Sequence, residues 1–136
     1  MANKITGSLD TNALLRLALG DIREQAIIVK NLLENSAQME VADAAIFEMV
    51  FVMEKLYKIS REQIAKNVLT IIRHKKVNCN RGLFELTFPM YIEHSKLSIV
   101  DCALTQYATL NNTTPLFTFD KELAKKCPEL TVLLSE

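Results

Sequence analysis

Four carboxylates occupy positions that call for an explanation. Between Ala44 and Met53, in "AAIFEMVFVM", Glu48 is the only residue that is not hydrophobic. Such a helix is apolar nearly all round, so Glu48 is expected to be largely buried. A buried carboxylate must be protonated, matched to a cation or bound to metal. Asp101 repeats the pattern in "LSIVDCAL", where it is the only charge between Leu97 and Leu104. Its neighbours are core types, and it is expected inside a helix rather than at its cap. Asp120 sits in "PLFTFDKELAKK", where an alternating strand gives way to a helix, and Asp10 closes the first strand pattern. Either aspartate alone is explained by capping the helix that follows. Four such acids brought together would repel one another unless positive charge lay among them, and a divalent ion supplies it. The ligands would all be oxygens, and neither His74 nor His94 lies in a metal-binding pattern. That favours Mg²⁺ or Mn²⁺ over zinc. Such ions clamp phosphates and activate water.

The surrounding elements alternate. "KITGSLD" reads as a strand, "NALLRLAL" as a helix, and "DIREQAIIVKNLLENSA" as a second helix with Ile22, Ala26, Val29 and Leu33 on one stripe. "MEVA" is a candidate second strand. "DAAIFEMVFVMEKLY" gives a third helix, and "SREQIAKNVLTIIR" a fourth, opened by a capping box of Ser60 with Gln63. After "KVNCN" comes a helical stretch from Gly82 to His94, with Pro89 positioned to kink or break it. The helix "SIVDCALTQYATL", the strand "LFTF", a short helix and the strand "TVLL" follow. The pattern predicts an α/β fold, helices around a small and mostly parallel sheet. In such sheets ligands gather at the carboxyl ends of strands, where Asp10 and Asp120 fall.

At 136 residues and 49% hydrophobic content, the chain reads as one domain, 1–136, able to bury a core without disulfides or metal staples. Sixteen Lys and Arg balance sixteen Asp and Glu, which excludes long-range attraction to nucleic acid or an anionic membrane through net charge. No apolar run approaches a membrane span or a signal-peptide core, so the chain is expected to be soluble and cytoplasmic. Cys79, Cys102 and Cys127 are widely spaced and read as reduced structural thiols.

The segments "LDTNALLR", the helix around Glu48, "SIVDCALTQYA" and "LFTFDKELAKK" occur in an order that resembles the PIN-domain family, and within it the VapC-type toxins of toxin–antitoxin pairs. The resemblance spans nearly the whole chain. It implies a three-layer α/β/α sandwich and an endoribonuclease that hydrolyses RNA phosphodiester bonds with metal-activated water. Asp10, Glu48, Asp101 and Asp120 would be its catalytic and metal-holding residues, with Mg²⁺ or Mn²⁺ as cofactor. Asn12 and Thr118 match family positions beside that pocket, and Ser98 stands where some relatives carry another acid. The resemblance further implies a homodimer and a cognate antitoxin whose segment lies in a groove near the site.

An acidic pocket repels phosphate, so an RNA substrate needs cations beside it. From Lys66 to Asn80 the chain carries Lys66, Arg73, Lys75 and Lys76 with no acid, and Arg81 follows. Arg73, Lys75, Lys76 and Arg81 are therefore the candidate RNA contacts, against the alternative of a solvated helix end. Phe84, Phe88 and Tyr91 recur at helical spacing and read as core rather than a base-stacking platform. Two other functions compete with the toxin: the same nuclease chemistry in RNA processing without an antitoxin, and a phosphoacceptor receiver domain. The receiver would need an acidic cluster at the first strand's end, where Asp10 is alone, and leaves Glu48 unexplained.

Overall fold

A computed structural model describes residues 5–135. Contacts divide the chain into two compact units, one ending at Arg81 and the other beginning at Gly82. Seven helices and five strands are formed among the described residues.

The first unit holds β1 (Ile5–Ser8), α1 (Thr11–Leu19), α2 (Arg23–Asn35), β2 (Ser36–Glu40), α3 (Asp43–Lys55), α4 (Arg61–Ile72) and β3 (Val77–Asn78). Its three strands form a parallel sheet in the order β1-β2-β3. The predicted first strand includes Lys4, which lies outside the described residues. α1 stops where Gly20 takes the left-handed conformation, φ 63°, and gives its N–H to Arg16 O. A Cβ would be strained there. Arg16 then grips both Asp21 oxygens at 2.8 and 2.9 Å, tying the turn to the end of α1. α1 packs against α2, α3 and α4. Leu14, Leu33, Ile46, Met49, Val50, Met53, Ile64 and Val68 are buried, each removal from water contributing about 1.5–3 kcal/mol.

The second helix is shorter than its sequence pattern. It ends at Asn35, and residues read as its tail belong to β2, which begins at Ser36 and not at Met39. The buried Ser36 hydroxyl donates to Leu33 O at 2.7 Å and so answers a carbonyl at the helix end, while its backbone is already extended. "KVNCN" contains the short strand β3.

The second unit holds most of α5 (Arg81–Glu93), then α6 (Ile99–Leu110), β4 (Leu116–Thr118), α7 (Lys121–Lys126) and β5 (Thr131–Leu133). β4 and β5 pair in parallel, with α7 crossing between them and packing on both. α5 continues through Pro89 as one helix instead of breaking. Pro89 is exposed, while Leu83, Phe84, Thr87, Phe88, Met90 and Tyr91 of the same helix are buried. That burial outweighs the hydrogen bond the ring nitrogen cannot make. Phe88 meets Phe84 at 6.1 Å and Tyr91 edge-on at 6.0 Å between ring centroids, as the core reading expected.

Candidate active site

Asp10 and Asp120 are built by the same local device. Each follows a parallel strand and N-caps the next helix: Asp10 Oδ1 accepts from Ala13 N at 2.9 Å, and Asp120 Oδ1 accepts from Leu123 N at 3.0 Å. The cap uses one carboxylate oxygen in each case. Both side chains are exposed at the carboxyl ends of their strands, where the sequence placed them. Thr118 Oγ1 accepts the Asp120 N–H at 2.9 Å, so this hydroxyl shapes the turn that presents Asp120. Asn12 is exposed in the first turn of α1, two residues after Asp10.

Glu48 is not buried. It lies on the outer side of α3, exposed, with Phe51 of the same side 57% exposed. α3 buries only the stripe Ile46, Met49, Val50 and Met53. Residue type shows which helix faces can be buried, but packing chooses among them, and here it leaves an apolar side open around a carboxylate. Asp101 also differs from expectation. It is half-buried in the first turn of α6, not in its interior. Ser98 Oγ accepts from Asp101 N at 3.1 Å, and Asp101 Oδ2 accepts from Ser98 N at 3.4 Å, a reciprocal capping box. The box predicted for α4 is only half made. Ser60 Oγ accepts from Gln63 N at 3.2 Å, whereas the Gln63 amide turns away to Asn67 Oδ1 at 2.8 Å.

None of these four acids forms an ion pair with Lys or Arg among the described residues. Each is a carboxylate without a protein cation, and carboxylate oxygens are the ligand type that suits a hard divalent ion. Within neither unit, among the described residues, do three or more His, Cys, Asp or Glu stand together as a metal site. His74 is half-buried, its Nδ1 accepting from Lys76 N at 3.1 Å in the turn after α4.

The basic segment divides by what its donors do. Arg81 Nε donates to Ile72 O at 2.8 Å and Nη2 to Val77 O at 2.9 Å, so this guanidinium joins the end of α4 to β3. Lys76 Nζ donates to Glu34 O. Arg73 and Lys75 are exposed. The role of Arg81 as a backbone tie escaped sequence reasoning, because the carbonyls it meets are brought near only by the turn between α4 and α5.

A cavity of about 270 Å³ opens between α1, α2 and α4. Leu17, Ala18, Leu33 and Ile71 give it apolar walls, with Lys30 and Lys66 among its polar residues. Cys79 is half-buried and Cys102 and Cys127 are buried, and none of the three is in a disulfide among the described residues. Burial pushes the Cys79 and Cys127 thiols above their ordinary range. Among the described residues, no helix is long and apolar enough to cross a membrane.

The parallel strands, the interleaved helices and the aspartates at strand ends define an α/β scaffold. The PIN domain family matches residues 8–127, a span that contains all four acids, and the chain belongs to that family. Its fold is accordingly a PIN-like α/β/α fold with small parallel sheets. PIN domains are in general metal-dependent nucleases, typically using Mg²⁺ or Mn²⁺. Among curated proteins, no match to this chain is found.

Proposed function

We propose that this chain, as one PIN-like nuclease domain, is a Mg²⁺- or Mn²⁺-dependent endoribonuclease acting as the toxin of a toxin–antitoxin pair. The observation that carries the reading is the family match over residues 8–127, with Asp10, Glu48, Asp101 and Asp120 all inside it. In this reading Asp10, Glu48, Asp101 and Asp120 are the acids that hold the divalent cation. When bound, the ion would offset phosphate charge and lower the pKa of water. The protein's part is to supply oxygens. Asp10 and Asp120 are fixed by their caps with one oxygen left over, Asp101 is turned by its capping box, and Glu48 is exposed and unpaired among the described residues. Asn12 and Thr118 support the aspartates beside them. Arg73, Lys75, Lys76 and Arg81 form the RNA-facing flank, with the exposed Lys75 among its phosphate contacts.

The antitoxin would place apolar side chains in the groove between α1, α2 and α4, its acidic groups meeting Lys30 and Lys66. The toxin acts as a cytoplasmic homodimer. Two measurements test the proposal. Purified protein should cleave mixed RNA with Mn²⁺ and not in EDTA; full cleavage in EDTA, from a preparation free of contaminating nuclease, would reject it. Expression in a bacterium should arrest growth for the wild type and not for Asp10→Asn at equal protein level. Cleavage without toxicity would favour an RNA-processing nuclease that has no antitoxin.

A further inference from the structure

The capping box at the start of α6 contains an unusual partner. The usual box pairs Ser or Thr with Glu or Gln three residues on; here the third residue is Asp101, one methylene shorter. Its carboxylate still reaches back to the Ser98 N–H, but at 3.4 Å, while the Ser98 hydroxyl takes the Asp101 N–H at 3.1 Å. The long bond orients the carboxylate without holding it tightly. It engages Oδ2 only. Asp101 is flanked by Cys102, 0% exposed, and Ala103, 4% exposed, and its own carbonyl accepts from Thr105 Oγ1 at 2.8 Å. The backbone of this turn is therefore fixed, and side-chain rotation is what remains to be set. The Ser98 backbone donor points at Asp101 because its hydroxyl keeps residue 98 in the extended cap conformation, φ −73° and ψ 162°.

We propose that Ser98 is a positioning residue that orients the Asp101 carboxylate for a divalent cation. The inference rests on the reading of Asp101 as a metal-holding acid and adds to it the group that aims it. Partners that orient a ligand in this way affect metal affinity by about 10–100-fold. A residue that merely capped the helix would affect folding and leave affinity alone.

The test is calorimetric titration of the full chain with Mn²⁺ in the absence of RNA, with thermal melts in EDTA as the control for folding. Ser98→Ala should weaken Mn²⁺ binding by about tenfold. Ser98→Thr, which restores the hydroxyl, should bind within about twofold of wild type. If Ser98→Ala does not fold, Ser98→Gly carries the test, because glycine is a tolerated N-cap with no side-chain acceptor. Hydroxyl-free variants that melt lower yet bind Mn²⁺ like wild type would overturn the proposal and leave Asp101's role standing. Asp101→Asn separates the two ideas, since its amide oxygen can still accept from Ser98 N. Wild-type Mn²⁺ affinity in Asp101→Asn would reject the metal-holding reading of Asp101, and the role of Ser98 with it.

Discussion

Asp10 is asked to do two things at once, and two substitutions separate them. Its Oδ1 accepts from Ala13 N at 2.9 Å, closing the first turn of α1, and that helix carries the buried Leu14 and Leu15 and packs on α2, α3 and α4. Asp10→Ala removes the cap. The loss should be about 1 kcal/mol, within a range of about 0.5–2. For a chain of this size that lowers the melting temperature by about 4 °C. Asp10→Asn keeps an oxygen acceptor of equal capping strength and removes only the charge, so in EDTA it should melt within about 1 °C of wild type. Added Mg²⁺ then distinguishes the second role. At a hundredfold excess over Kd, a ligand that binds only the folded state stabilises it by about 2.7 kcal/mol. Wild type should show that shift and Asp10→Asn should lose most of it, together with RNA cleavage. Melts by calorimetry with and without Mg²⁺ measure all four values. An Asp10→Asn protein that keeps the full Mg²⁺ shift would refute the ligand role, and an Asp10→Ala protein that melts like wild type would refute the cap.

Glu48→Gln should change apo stability by no more than about 0.5 kcal/mol, because the side chain is exposed and has no ion-pair partner among the described residues, yet it should abolish cleavage. A loss of about 3–5 kcal/mol in denaturant unfolding would instead reveal a buried pair. Arg81→Ala removes charged donors from Ile72 O and Val77 O and should cost about 2 kcal/mol in the same assay. Lys75→Ala should leave stability within about 0.5 kcal/mol while reducing the salt slope of single-stranded RNA binding by about 0.7, measured by fluorescence anisotropy. Cys127, raised by burial and secondly by Glu93, stays protonated in the folded chain at pH values where the unfolded thiol ionises, above about 8.5. The unfolded state then binds fewer protons, so stability should fall as pH rises from there through the folded value. Cys127→Ala should flatten that alkaline limb in pH-dependent melts.

Asp10 and Asp120 were legible in the sequence because a cap is a local event: strand pattern, acid and helix pattern lie within a dozen residues, and the hydrogen bonds at 2.9 and 3.0 Å close over three residues. The parallel α/β class was legible for the same reason, as periodicity switching from two to 3.6 along the chain. The Ser98 and Asp101 box was equally local but was obscured by an apolar run that read as helix interior. Glu48 shows where locality ends. Its neighbours are apolar on every side, and the sequence holds nothing that says which stripe of α3 will be covered; only contacts with α1 and α4 select Ile46, Met49, Val50 and Met53 and leave Glu48 outside. Arg81 is the converse case. Its charge counted toward an RNA-binding flank, yet a turn that brings two carbonyls within 2.9 Å commits part of that charge to the backbone. Local hydrogen bonding is encoded by residues a few positions apart, whereas exposure and the pairing of a long side chain depend on which distant surfaces meet, and that is decided by the packed chain.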